Sequence, residues 1–270
     1  MTPESRFAAN ILAGRPMGFP IVDCHGHLGT FSAMHIPFDA DLDSVLRMMD
    51  LYGCETLCLS HNAAITSDAP GGNLLACRAA AEHPGRIAVY LAFNPNYPAA
   101  YGLADIESHA ADRGVIGIKL HTETHQVPAA DPRNDPAYEM ARGRHWVVLS
   151  HTWGVADIKG MEHMARRYPE VPVIMGHSGG TEFAAVYEAI RVARQCPNAF
   201  LDLTLSGHFE GLVELCVKEA GAEKVLFGSD VPFLDPRGSV GRVAFARIPD
   251  ADKEKILGDN MRGLLRDRFR

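Results

Sequence analysis

Short runs of β-branched and aliphatic residues recur along the chain at nearly even spacing: Pro20–Cys24, Thr56–Ser60, Ile87–Phe93, Val115–Leu120, Trp146–Ser150, Pro172–Met175, Phe200–Leu205 and Lys224–Gly228. Segments with apolar residues at helical intervals lie between them, over Leu42–Leu51, Leu74–Glu82, Ala104–Arg113, Gly160–Tyr168, Thr181–Gln195 and Phe209–Ala220. Strands alternating with helices read as βαβ units, whose strands run parallel. The runs are apolar throughout, as strands covered on both faces must be. Eight such repeats match a closed (β/α)8 barrel, a TIM barrel, better than an open doubly wound sheet. Pro/Gly clusters such as Asp68-Ala69-Pro70-Gly71-Gly72 and Pro169-Glu170-Val171-Pro172 fall where turns are needed, and none makes a linker. The prediction is a single α/β domain over residues 1–270, a distorted barrel preceded by one extra helix around Phe7–Gly14.

Composition narrows the function. Hydrophobic residues make up 47% of the chain and charged residues 22%, the balance of a soluble globular enzyme and not of a disordered segment. A net charge of −7 without a basic stripe argues against nucleic-acid binding. No apolar run approaches the roughly 18 residues of a membrane span. The segment Phe7–Gly14, interrupted by Asn10 and flanked by Arg6 and Arg15, reads as an outer helix and not as a secretion signal. Six cysteines (Cys24, Cys54, Cys58, Cys77, Cys196 and Cys216) form no C-x-x-C pair, which points to a reducing cytoplasm.

The thirteen histidines change the picture most. His25 and His27 follow the first run, His61 the second, His121 and His125 the fourth, His151 the fifth, His177 the sixth and His208 the seventh, while Asp230 closes the eighth. Strand C-termini are the barrel face on which active sites are built. His25 and His27 are two apart, so on a regular strand both rings point to one side and Cys24 to the other. Closure of the barrel sets Asp230 beside that pair, with His151 and His177 on the opposite wall. Imidazoles and a carboxylate converging without thiolate make a divalent metal site and favour zinc, with manganese, iron and cobalt as the alternatives. His61, His125 and His208 read as hydrogen-bonded structural residues, because no spacing pairs them with a partner.

The segments Asp23-Cys24-His25-Gly26-His27, Gly117-Ile118-Lys119-Leu120-His121, Leu149-Ser150-His151-Thr152, Met175-Gly176-His177-Ser178-Gly179-Gly180 and Phe227-Gly228-Ser229-Asp230 together resemble the amidohydrolase superfamily, in particular its amidohydrolase-2 branch. Ile256-Leu257-Gly258-Asp259-Asn260 resembles that branch's C-terminal motif, so the resemblance runs from about Ile21 to Leu265. It implies a metal-dependent barrel that hydrolyses amide or ester bonds or, in some members, decarboxylates or hydrates small acids. It implies His25, His27, His151 and Asp230 as metal ligands. His177 becomes a ligand in two-metal members and a polarising or proton-transfer residue in one-metal members. Lys119 lies where two-metal members such as phosphotriesterase and dihydroorotase carry a carboxylated, bridging lysine. Its alternative is an ion pair inside the barrel, to Glu123 or Asp202. Homo-oligomerisation is an expectation from the family alone.

A bound zinc ion lowers the pKa of its water from 15.7 to about 7. Asp230 is then placed to take the water's proton, and His177 to polarise the substrate carbonyl or complete a second metal site. Backbone N–H groups of Ser178-Gly179-Gly180, leading into a helix near Thr181, could hold a substrate anion or could simply form a tight turn. Loops at Thr30–Phe38, Thr122-Glu123-Thr124-His125, Trp153 and Phe233-Asp235-Arg237 would set specificity, with Arg237 either pairing a substrate carboxylate or solvated on a surface turn. The leading expectation is a cytoplasmic hydrolase of a small amide, lactone or ester, using one or two divalent ions. A nonoxidative decarboxylase or other lyase with one metal is the alternative. A barrel without catalysis is the third, and retention of all five metal-competent groups argues against it.

Overall fold

A computed structural model describes residues 5–31, 35–36, 39–204 and 209–265. Its eight strands are β1 (Ile21–Leu28), β2 (Cys54–His61), β3 (Ile87–Ala92), β4 (Val115–His121), β5 (Val147–His151), β6 (Val173–Gly176), β7 (Ala199–Asp202) and β8 (Val225–Leu226). They lie in chain order in one sheet, each pair parallel. The sheet curls round until the segment after β8 meets β1. Cys24 N–H donates to Phe227 O at 2.9 Å, Asp230 N–H to His25 O at 2.9 Å and His27 N–H to Val231 O at 2.7 Å. The predicted (β/α)8 barrel is therefore present, with a short last strand.

Helices precede and alternate with the strands: α1 (Arg6–Leu12), α2 (Leu42–Tyr52), α3 (Asn62–Thr66), α4 (Ala69–Glu82), α5 (Ala99–Ser108), α6 (Thr122–His125), α7 (Asp135–Arg144), α8 (Gly154–Arg167), α9 (Phe183–Gln195), α10 (Leu212–Ala220), α11 (Pro236–Ala244), α12 (Asp250–Glu254) and α13 (Asn260–Leu265). The wall has apolar side chains on both sides. Val22, Ala88, Tyr90, Ile116, Val147, Leu149, Ile174 and Leu226 fill the barrel. Leu57, Val89, Ile118 and Val148 face outward onto Met49, Ala76, Met161 and Ala189 of the helices. Burying two faces of every strand removes most apolar area from water, at about 25 cal/mol per Å².

Several boundaries differ from the periodicity reading, each for a local reason. The segment Asp68–Gly72, read as a turn, contains the first turn of α4: the Asp68 side chain accepts the Gly71 N–H at 3.0 Å, and Pro70 sits where no N–H is needed. α8 begins at Gly154, six residues before the predicted start, and α5 is shifted towards the N-terminus. α7 is polar along most of its length and buries only Ala137, Tyr138 and Ala141, so it carries little apolar signal. The loop expected around Arg237 is the start of α11, capped by Asp235. α1 is an outer helix anchored by buried Phe7, as expected. All six cysteines are free and buried. No helix among the described residues is long and apolar enough to cross a membrane.

Candidate active site

β1 runs on to Leu28, so His25 and His27 belong to the strand itself. Its register against β2 slips between Asp23 and Gly26, and this irregularity corrects one expectation: Cys24 and His25 both face the barrel interior. Both reach the same carboxylate on β7, Cys24 Sγ at 3.6 Å from Asp202 Oδ1 and His25 Nδ1 at 2.7 Å from Asp202 Oδ2. Asp23 points outward and accepts from the Tyr52 hydroxyl on α2 at 2.8 Å and from the His25 and Ser229 N–H groups. Buried Asp23 is thereby raised to about 7, burial outweighing the hydrogen bonds it accepts.

A carboxylate can only accept, so the contact with Asp202 places the proton of His25 on Nδ1 and leaves the Nε2 lone pair facing inward. His27 Nδ1 is near Ser60 Oγ at 3.4 Å, and its Nε2 faces Asp230 Oδ1 at 3.3 Å. His25 Nε2 lies 3.9 Å from the same oxygen. Donor atoms of His25, His27 and Asp230 all fall within 4.8 Å of one another, and all three residues are buried. Burial, with the Lys119 charge second, pushes His25 well below the ordinary histidine value. Burial likewise lowers His27. Burial alone would raise Asp230, but the His27 hydrogen bond and the His177 and His25 rings outweigh it and hold the carboxylate below its usual range. Neutral imidazoles beside an ionised carboxylate are the protonation states a divalent cation requires.

The other predicted ligands stand one layer out. The His177 ring centroid is 4.8 Å from that of His25, and the His151 centroid is 4.8 Å from that of His177. His151 Nε2 lies 3.6 Å from Glu123 Oε2, whereas its Nδ1 is buried with no hydrogen-bond partner. A buried lone pair left without a donor is costly, and a cation satisfies it. His25 Nε2, His27 Nε2 and Asp230 Oδ1 form a nitrogen and oxygen donor group that fits a divalent metal, and His151, with its unsatisfied Nδ1, stands one layer out as a further candidate ligand.

Lys119 is almost fully buried and donates from Nζ to His25 Nε2 at 2.7 Å. Neither ion pair expected for it, to Glu123 or to Asp202, is present among the described residues. Burial pulls its ammonium down to about 8. The anion nest considered at Ser178-Gly179-Gly180 is a tight turn: the His177 N–H donates to Asp202, the Gly179 N–H to Thr152 Oγ1 and the Gly180 N–H to His177 O. A Cβ at Gly180 would sit 2.7 Å from the Trp153 ring, at a φ of +82°. The helix begins at Phe183, not Thr181. Arg237 pairs with Asp235 on the surface and does not line the cleft that opens above the donor group.

His125 is structural as expected, donating from Nε2 to Ile65 O at 2.9 Å. His61 caps α3, its Nδ1 accepting the Ala63 N–H at 3.1 Å. His208 and most of the loop at residues 30–38 lie outside the described residues. Two positions packed against the candidate site carry no site role in the sequence reading. Asp202 was considered only as a partner for Lys119, yet it orients His25 and also accepts the His177 N–H at 3.1 Å and the Thr204 N–H at 2.9 Å. Its signal was an aspartate closing an otherwise apolar strand. His121 was placed at a strand end without a role. It stacks on His151, with ring centroids 4.2 Å apart and planes 13° apart.

Above the donor set opens a cleft of about 670 Å³ lined by His27, Lys119, His121, Glu123, His151, His177 and Asp230, with Phe31, Trp153 and Phe233 as aromatic walls. It has the size of a small-molecule site.

Comparison with known proteins agrees with this fold. The 5-carboxyvanillate decarboxylase of Novosphingobium aromaticivorans, solved with manganese and 4-hydroxy-3-methoxy-5-nitrobenzoic acid, superposes with a TM-score of 0.75 at 13% identity, over 92% of this chain and 96% of that one. The 2,6-dihydroxybenzoate decarboxylase from Rhizobium gives 0.70 at 18% identity, over 92% and 99%. A probable 2-pyrone-4,6-dicarboxylic acid hydrolase from Acinetobacter baumannii, solved with citric acid, gives 0.69 at 15% identity, over 91% and 99%. At these identities the likeness is one of fold. No curated protein matches the sequence. The sequence model of the amidohydrolase family matches residues 22–266, nearly the whole chain, and the protein belongs to that family.

Proposed function

We propose that the protein is a metal-dependent hydrolase of a small carboxylic acid derivative carrying an ester, lactone or amide bond. The observation that carries this reading is the compact donor group of His25, His27 and Asp230 at the base of an aromatic-walled cleft. A divalent cation in that group, zinc by the nitrogen and oxygen donors, would make water nucleophilic at neutral pH and polarise a carbonyl. Asp230 takes the proton of the attacking water and returns it to the leaving group. His177, whose ring lies against that of His25, hydrogen-bonds the substrate carbonyl. Lys119, buried in the cleft floor, supplies positive charge for a substrate carboxylate. The structural relatives that act on dihydroxybenzoate, carboxyvanillate and pyrone dicarboxylic acid support a carboxylic acid as substrate.

Nonoxidative decarboxylation is the second reading. It is favoured by the one compact donor group at the base of this cleft, a three-residue set suited to one ion, and by Lys119, whose Nζ donates to His25 Nε2 within it. The test loads the protein with zinc or manganese, measures ions per chain, and offers a panel of lactones, esters and hydroxybenzoic acids. Proton release without CO2, abolished by chelation, is the expected result. CO2 release would select the second reading, and turnover that survives full removal of the metal would overturn both.

A further inference from the structure

His121 closes β4 and also starts α6. Its Nδ1 accepts the Thr124 backbone N–H at 3.2 Å, doing the work of a helix cap. A neutral imidazole that accepts at Nδ1 carries its proton on Nε2, so this contact fixes the tautomer. The ring itself is clamped, stacked on His151 at 4.2 Å and against Phe31 at 6.3 Å and 29°. Its Nε2 makes no hydrogen bond among the described residues, and the residue lines the cleft above the donor group. Lys119, two residues earlier on β4, lines the same cleft, and two residues of strand span about 6.6 Å.

Resting on the function proposed above, we propose that His121 is a substrate-binding residue, a pre-oriented N–H donor that holds an oxygen of the substrate's carboxylate group. Lys119 supplies charge without direction, and His121 supplies direction. The pairing suits a planar anion with two oxygens, which the aromatic walls would flank. His61 offers an internal comparison. It closes β2 and caps α3 through Nδ1 in the same way, but it lines a neighbouring groove and not this cleft. Capping alone therefore does not require a histidine facing the donor group.

The experiment measures benzoate, acetate and inorganic phosphate binding by calorimetry, to protein with and without zinc, for four proteins. His121→Asn keeps an acceptor where Nδ1 was and deletes the Nε2 donor. His121→Gln keeps an amide N–H near the Nε2 position and gives up the cap. His61→Asn is the capping control, and the wild type is the reference. A hydrogen bond to a charged group is worth about tenfold or more in affinity. His121→Asn is expected to weaken benzoate about tenfold, with metal content and melting temperature held. His121→Gln should stay within about threefold of wild type in affinity although it melts lower, and His61→Asn should bind normally. Equal affinity in wild type and His121→Asn, equal losses in all three variants, or no anion bound by the wild type would each overturn the proposal. Failure of the metalloenzyme reading shows separately, as an absence of bound zinc. Anion binding that still depends on His121 in that case would leave the binding role standing.

Discussion

Replacing Asp202 by asparagine tests how the donor group is held. The carboxylate receives His25 Nδ1 at 2.7 Å and the His177 N–H at 3.1 Å on one oxygen, and the Thr204 N–H and hydroxyl at 2.9 and 2.7 Å on the other. An amide has one accepting atom, so one side must lose its acceptor. If the amide nitrogen turns to His25, the imidazole must shift its proton to Nε2, and the lone pair that faces Asp230 is gone. If it turns to Thr204, two N–H groups confront each other in a fully buried site. Outer partners of ligating histidines are worth about 10–100-fold in metal affinity, or roughly 1.4–2.7 kcal/mol. Asp202→Ala is expected to do worse, because it strands buried donors at about 1–3 kcal/mol each. The assay is competition for zinc against a chromophoric chelator, with thermal melts of loaded and stripped protein. Asp202→Asn should raise the zinc Kd at least tenfold and shrink the difference between the two melts. A Kd within twofold of wild type would refute the idea that Asp202 sets the tautomer of His25.

Three further outcomes follow from the same geometry. Asp230→Asn keeps an oxygen for the metal but cannot take a proton, so turnover should fall about 10²–10⁴-fold while metal content holds, and near-normal turnover would identify another base. Lys119→Met should leave one ion per chain and a Kd no weaker than wild type, since the ammonium competes for His25 Nε2; a fall from two ions to one would instead establish a bridging carboxylated lysine. Asp23 has a folded-state pKa of about 7 against an ordinary 3.8, so the folded state binds its proton more tightly than the unfolded chain does. Its contribution favours folding in acid and is lost as pH rises from about 4 to about 7, by up to about 4 kcal/mol. Asp23→Asn should therefore gain stability relative to wild type between pH 5 and pH 8, read by urea denaturation, and a constant difference would refute the assignment.

The barrel was legible because its strands are buried on both faces, which leaves uninterrupted apolar runs, and because chemistry-bearing residues collect at one end of such strands. His25, His27 and Asp230 could be brought together from topology alone. What escaped were contacts that depend on local departures from regular geometry. The slip in β1 turns Cys24 and His25 to the same side, and no periodicity reveals a slip. Asp202 works through a close approach at Gly228, where a Cβ would lie 2.1 Å from its Oδ1. The glycine is visible in the sequence, but the carboxylate it makes room for is 26 positions away and looks like an ordinary strand end. α7 stayed hidden because a polar crossover helix contributes little apolar pattern.

β8 is two residues long, and the cylinder is sealed beyond it by three backbone hydrogen bonds, donated by the amides of Cys24 to Phe227 O, of Asp230 to His25 O and of His27 to Val231 O. Two of the three amides belong to residues of the donor triangle. A cation that draws those side chains together also clasps the first and last staves of the wall, so releasing it and unzipping the cylinder become one cooperative event. Hydrogen exchange reads this directly. With metal bound, the His27 and Asp230 amides should rank among the slowest in the molecule, and on chelation they should lose protection together. Amides of the β4–β5 ladder, halfway round the wall, should keep theirs.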